Sequence, residues 1–418
     1  MTREPWHYLK KKNSTDRKRK TMSSISKAME KLIANSSVLR TMFEEGKQMA
    51  VKYGRENVFD FSLGNPSTPT PPEFNDAVRQ VLDENDSFSL HAYMSNAGYE
   101  ETRQAIADNL NERFGSHYGY KDITMTVGAA NAIVAAIKVL TDPGDEVVVL
   151  APYFLEYGNY ISNFGAVAKV VPPNPPTFVP DPDALRNTLN EKTKAVIINN
   201  PNNPTGIVYD EEAIKMIASV MEEAQKEYGH SIYLITDEPY REIVYDGVQV
   251  PFIAGYYRNT LMAYSFSKAM SVPGERIGYL AVSPDADEAD RINTGLGVAI
   301  RVMGCVNAPS LQQKTIIKVL DKFTDVSIYD TNRKILMAGL DKAGLEYVRP
   351  DGTFYLFVKT PTEDDREFSE RAKDKYHMLL SPGSAFCCPG YIRIAYCVAR
   401  DTIERALPLF EQLAAEYR

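Results

Sequence analysis

Ser265-Phe266-Ser267-Lys268-Ala269-Met270-Ser271-Val272-Pro273-Gly274-Glu275-Arg276-Ile277-Gly278 places a lysine just past a short apolar run, with a hydroxyl three residues before it and an arginine eight after it. One loop thus carries an amine able to form an imine and two groups, Ser265 and Arg276, suited to a phosphate. Covalent retention of pyridoxal phosphate needs that set. Taken alone, the Ser-x-x-Lys spacing is common, and a surface lysine is the other reading.

Working outward from that loop, short apolar stretches at 123–127, 146–150, 168–171, 195–199, 232–236, 261–265 and 278–282 read as strands. Each is rich in Val, Ile or Tyr, as expected of strands covered on both faces. Most are separated by enough chain for a crossover helix, such as 131–140 or 211–228. The fold class expected is therefore α/β, with a mainly parallel seven-stranded sheet and helices on both faces. Beyond about Pro309 the pattern changes to a long helix, hairpin-like strands near 345–348 and 353–358, a strand at 391–396 and a closing helix at 401–417. These make a smaller α+β domain.

The expected domain layout is 1–21, a disordered basic extension; 22–71, an N-terminal arm and part of the small domain; 72–308, the large domain; and 309–418, the rest of the small domain. A chain of 418 residues fits one large and one smaller domain. Lys10, Lys11, Lys12, Arg17, Lys18, Arg19 and Lys20 crowd the amino terminus, as a solvated tail or as a nucleic-acid arm. Met22 reads as the start of the functional protein. A net charge of −8 argues against nucleic acid as the main partner. No apolar run of about 18 residues exists to span a membrane. The four cysteines show no CxxC spacing, and Cys387 and Cys388 are adjacent, so a reducing cytoplasm is the expected setting.

The strand ends carry polar residues. Asn200-Pro201-Asn202-Asn203-Pro204-Thr205-Gly206 follows one strand, either as a plain prolyl turn or as a fixed loop that presents the Asn203 amide. Asp237-Glu238-Pro239-Tyr240 ends the next. An aspartate there is costly unless paired, either with a protonated pyridine nitrogen or with an arginine such as Arg241. Upstream, Gly128-Ala129-Ala130 is a small-residue turn opening a helix, a place where backbone N–H groups approach a phosphate. Phe154 offers a ring for stacking, or a core side chain.

The lysine segment fits, over its full length, the signature of class I aminotransferases. Asn203-Pro204-Thr205-Gly206 and Asp237-Glu238-Pro239-Tyr240 resemble that family's other two hallmarks, in the same order. The resemblance covers nearly the whole chain after Met22 and is specific for fold-type I pyridoxal phosphate enzymes of the aspartate aminotransferase kind. It implies that Lys268 holds the cofactor and moves the proton, that Asp237 pairs with the ring nitrogen, and that Tyr240 and Asn203 bond its phenolic oxygen. By the same resemblance Phe154 stacks on the ring, and Gly128, Ala129, Ala130, Ser265 and Arg276 bind the phosphate. Tyr93 resembles the tyrosine that reaches the neighbouring subunit's phosphate, which implies a homodimer with shared sites. Arg393 resembles the arginine that binds the substrate's α-carboxylate, and Gly64 would close over that group. A guanidinium meets a carboxylate through two parallel hydrogen bonds, which fixes orientation as well as charge. The reaction implied moves an amino group from an L-amino acid to a 2-oxo acid.

Two features depart from the pattern. Cys387 stands where relatives commonly have glycine, so the backbone of 381–388 could follow another path. Arg301 sits roughly where dicarboxylate-specific relatives place a side-chain-binding arginine, or is an exposed helix residue. Aspartate and glutamate with 2-oxoglutarate are the leading substrates on that basis. No GxSxG exists, and the five histidines show no metal-ligand spacing, so hydrolase and metal readings fail. Pyridoxal phosphate lyases, decarboxylases or racemases remain rivals, as does a non-catalytic regulator that senses the cofactor or an amino acid.

Overall fold

Alternation along the central strands dictates the layering. Val147 and Val149 pack on one side with Ala132, Ile133 and Leu296, while Val148 and Leu150 pack on the other with Ile214, Ile217 and Met221. Successive side chains on a strand point to opposite faces, so an all-apolar strand needs cover on both. The structure, a computed structural model, describes residues 24–34 and 38–418. The expected basic extension and the start at Met22 lie outside the described residues.

Seven strands form the main sheet. Across it run Ile123–Thr126, Gly278–Val282, Thr260–Ser265, Tyr233–Asp237, Thr193–Asn199, Glu146–Leu150 and Val167–Val171. The last five pair in parallel, and Gly278–Val282 runs antiparallel to both of its neighbours. The expected mainly parallel sheet is therefore present. The crossover helix Glu211–Tyr228 has Asp210 as its N-cap, accepting from the Ala213 N–H, and Gly229 in the left-handed region at its end.

A second, antiparallel sheet orders Ser381–Pro382, Tyr391–Ala395, Tyr355–Lys359 and Tyr347–Val348. Phe59–Asp60 pairs in parallel with Met378–Leu379 beside it. Helices Ser327–Ala343 and Arg400–Ala415 bury Leu336, Leu340, Phe410 and Leu413 in the core that also holds Phe61, Phe354 and Tyr355. Ser37–Arg418 is one compact unit; the helix Lys27–Ala34 belongs to the unit before it.

One expectation fails. The long helix after Pro309 is two helices, Ser310–Ile317 and Ser327–Ala343. Between them the Thr324 N–H donates to the Ala269 carbonyl at 2.8 Å and its hydroxyl to Thr68 Oγ1 at 2.6 Å. Asp325 then accepts from the Ser327 N–H and starts the second helix. Tertiary bonds to the lysine loop outweigh helical continuity there.

Candidate active site

Parallel register brings the polar strand ends together. Asn199 lies opposite Asp237, and Asp237 opposite Ala263, five residues before Lys268. Beyond these ends opens a cavity of about 770 Å³. Ligands in open α/β sheets bind at this edge.

At the floor, Asp237 is buried, and the Tyr157 hydroxyl donates to its Oδ2 at 2.5 Å. Its Oδ1 is also buried, lacks any partner, and belongs to a side chain lining the cavity. Burial pushes the carboxyl up to about 7, against the pull of the Tyr157 bond. A salt bridge with Arg241 is not formed. Arg241 instead pairs with Glu238, Nε to Oε2 at 2.6 Å. The orphaned oxygen calls for a donor or a cation from a ligand.

Lys268 follows its strand by three residues, and its Nζ donates to the Gly64 carbonyl at 2.6 Å. Burial lowers its pKa to about 8, which makes a neutral amine accessible near neutral pH. Arg276, in the left-handed region, is anchored by carbonyls: Nη2 to Val127 at 2.8 Å and Nη1 to Pro273 at 3.0 Å. Ser265 accepts from the Ser267 N–H and donates to its hydroxyl at 2.8 Å. Gly128, at φ +91°, opens the helix Ala129–Leu140, and a Cβ on it would stand 2.7 Å from Arg276 Nη2. A helix N-terminus, two hydroxyls and a guanidinium with no acidic partner among the described residues make an anion cradle.

Across the cavity stands Arg393, only 2 % exposed. Its Nη1 donates to Asn203 Oδ1 at 2.9 Å and its Nη2 to the Ser62 carbonyl at 2.5 Å, while Nε has no partner. No carboxylate pairs with it among the described residues. Its guanidinium lies 4.4 Å from the Tyr355 ring centroid and 4.8 Å from that of Phe386. A buried cation without a counter-charge is costly, and an anionic ligand removes the cost.

Residues 56–408 match the family of class I and II aminotransferases. The chain belongs to that family. An aspartate aminotransferase of Thermotoga maritima is 31 % identical over 91 % of this chain and 97 % of its own. A solved aminotransferase from Eubacterium rectale superposes with a TM-score of 0.92 at 43 % identity, covering 95 % of this chain and all of that one. The aspartate aminotransferase of Thermus thermophilus, solved with maleate, gives a TM-score of 0.83 at 25 % identity over 94 % of this chain and 100 % of its own.

The aminotransferase is a fold-type I enzyme and takes pyridoxal phosphate as its cofactor. The residues present fit that group, since the cavity supplies an amine, an unpaired buried carboxylate oxygen and an anion cradle. Lys268, Asp237, Tyr240, Asn203, Ser265, Arg276, Phe154, Ala129, Ala130, Gly64 and Arg393 all line it, with Gly128 against Arg276 at its edge. Tyr93 and Arg301 do not line it; Tyr93 is 89 % exposed, and Arg301 is exposed in the last turn of Ala289–Val302. Cys387 adopts φ 59°, the conformation glycine takes freely, at the end of the 3₁₀ turn Gly383–Phe386.

Sequence reasoning missed Tyr157, Tyr355 and Ser267. Tyr157 stands three residues after Phe154, and Ser267 was inside the lysine segment, so both had a local signal. Tyr355 had none, because only the pairing of its strand with Tyr391–Ala395 brings it to Arg393.

Proposed function

We propose that this aminotransferase moves an amino group from aspartate or glutamate to 2-oxoglutarate, with Lys268, Asp237 and Tyr240 as its catalytic groups. Arg393 carries the amino-acid part of the reading, and the likeness to an aspartate aminotransferase of Thermotoga maritima supports the choice of aspartate or glutamate. Arg393 is a buried guanidinium whose Nε is free, in the same cavity as Lys268. An α-carboxylate supplies the missing charge, and two parallel hydrogen bonds fix the substrate's plane.

Lys268 and the cradle of Gly128, Ala129, Ala130, Ser265 and Arg276 would hold pyridoxal phosphate, which would supply an electron sink for the substrate's Cα. Asp237, held by the Tyr157 hydroxyl, would pair with the ring nitrogen and favour its protonated form. Phe154 would lie against the ring, and Tyr240 and Asn203 would donate to its phenolic oxygen. A carboxylate fixed at Arg393 would leave the Cα–H bond open to Lys268, which lines the same cavity. The lysine, whose pKa of about 8 suits both taking and returning a proton, transfers that proton at Cα. Gly64, whose carbonyl holds the Lys268 amine, forms the wall over the carboxylate.

We further propose a cytoplasmic homodimer. Tyr93 and Arg301, both exposed on their own chain, would then serve the other subunit's site, at the phosphate and at a second carboxylate respectively. No helix among the described residues is long and apolar enough to cross a membrane.

A panel of amino acids mixed with holoenzyme, without any oxo acid, tests the reading. Loss of the lysine-linked absorbance with aspartate or glutamate, restored by 2-oxoglutarate, is the expected result. Catalytic release of ammonia without an acceptor would instead mark a lyase, and spectral shifts without turnover a regulator.

A further inference from the structure

Tyr355 touches three of the groups just assigned and has no assigned role of its own. In the antiparallel pair, Tyr355 lies opposite Ala395 and Phe357 opposite Arg393, so Tyr355 and Arg393 are diagonal neighbours on one face. Diagonal neighbours are within reach when one side chain is aromatic and the other long. The Tyr355 ring centroid accordingly sits 4.4 Å from the Arg393 guanidinium carbon. Its hydroxyl is 3.1 Å from that of Tyr240. The same hydroxyl fills the space beside Gly64, where an added Cβ would meet it at 1.7 Å. The Gly64 carbonyl in turn holds Lys268.

We propose that Tyr355 is a positioning residue with two separable effects: its ring holds the Arg393 guanidinium in the plane that receives the substrate carboxylate, and its hydroxyl directs the Tyr240 proton into the cavity. Each phenol has one proton. When Tyr240 donates to the cofactor's phenolic oxygen, the bond between the two tyrosines can persist only with Tyr355 as its donor. Donation into Tyr240 polarises its O–H and strengthens the next bond in the chain. The ring acts differently. A guanidinium against an aromatic face is attracted by the ring quadrupole, most strongly where water is excluded. The inference rests on the reading of Arg393 and Tyr240 given above.

Two substitutions separate the effects. Tyr355→Phe keeps the ring and loses the hydroxyl, whereas Tyr355→Met loses both at similar volume. Three quantities are read on each holoenzyme: KM and kcat for the best amino donor, and the pH midpoint at which the lysine-linked absorbance titrates. For Tyr355→Phe we expect KM within about twofold of the parent and a higher midpoint, because a less stabilised phenolic oxygen is more basic. For Tyr355→Met we expect that higher midpoint together with a KM raised about tenfold, as a lost desolvated cation–aromatic contact implies. Arg393→Gln is the control. If it leaves KM unchanged, the carboxylate reading itself is wrong. If it raises KM steeply while both Tyr355 variants match the parent in KM and midpoint, the Tyr355 proposal alone is overturned. Should Tyr355→Met fail to fold, an unchanged midpoint in Tyr355→Phe still overturns the hydroxyl's part, and an unchanged KM in Tyr355→Leu the ring's.

Discussion

Replacing Asp237 by asparagine should strengthen the cofactor-free protein and weaken its hold on the cofactor, two effects of opposite sign from one side chain. Asp237 is buried with Oδ2 bonded to Tyr157 and Oδ1 unpartnered. Burial lifts its carboxyl from 3.8 to about 7. At 1.36 kcal/mol per pH unit, that rise corresponds to roughly 4 kcal/mol. The folded protein keeps the proton where the unfolded chain has already released it. Stability therefore falls as pH rises from 3.8 to about 7 and is level above that. Asparagine has the same shape and no charge, so the variant lacks this slope. At pH 8 the cofactor-free variant should be the more stable by roughly 2–4 kcal/mol, the lower figure allowing for water in the cavity. With cofactor bound the sign reverses. A hydrogen bond to a charged group contributes roughly 1.5–3 kcal/mol, so cofactor affinity should fall roughly 10–100-fold. Calorimetric melting of both apoproteins from about pH 5 to about pH 8 reads the first effect, and titration with pyridoxal phosphate reads the second. Parallel melting curves for parent and variant across that range would refute the burial argument. Equal cofactor affinities would refute the pairing with the ring nitrogen.

Arg393→Gln should raise KM for the amino donor roughly 10–100-fold, the cost of losing a charge-assisted carboxylate contact, with the lysine-linked absorbance retained; steady-state kinetics with spectra of the same sample check it. Gly128→Ala combines a φ of +91° with a Cβ 2.7 Å from Arg276 Nη2, so its affinity for pyridoxal phosphate should drop. Backbone strain of roughly 1–3 kcal/mol in this positive-φ, extended region sets the scale at roughly 10–100-fold, read by fluorescence titration of the apoprotein. The rate at which apoprotein captures the cofactor should climb with pH and level off above about 8, where the Lys268 amine is mostly neutral. Stopped-flow absorbance measures this, and a rate independent of pH through that region would contradict the lowered lysine pKa.

The main sheet was legible because its strands are short, mainly apolar runs, most clearly at Val147, Val148 and Val149. The polar residues of the candidate site were legible for a related reason. Strand ends at Asn199, Asp237 and Ser265 are where buried polar groups occur, so each stood out against apolar sequence. The break between Ser310–Ile317 and Ser327–Ala343 was not legible, because Thr324 leaves the helix for partners at Ala269 and Thr68 that are distant in sequence. Arg393 was visible only through its setting in Tyr391-Ile392-Arg393-Ile394, and what makes it a site, the absence of an acidic neighbour, is a fact of three dimensions. Arg301 marks the limit. A helix position near the expected place could not say whether its side chain enters the cavity, and within its own chain it does not.

Borohydride reduction of the holoenzyme, followed by peptide mapping, tests the tether at Lys268 most directly. Reduction turns the cofactor linkage into a stable secondary amine that survives digestion. The expected result is the phosphopyridoxyl group on the peptide containing Lys268, in full occupancy, and no such label in Lys268→Ala. Label on a different lysine, or undiminished label in the alanine variant, would contradict it.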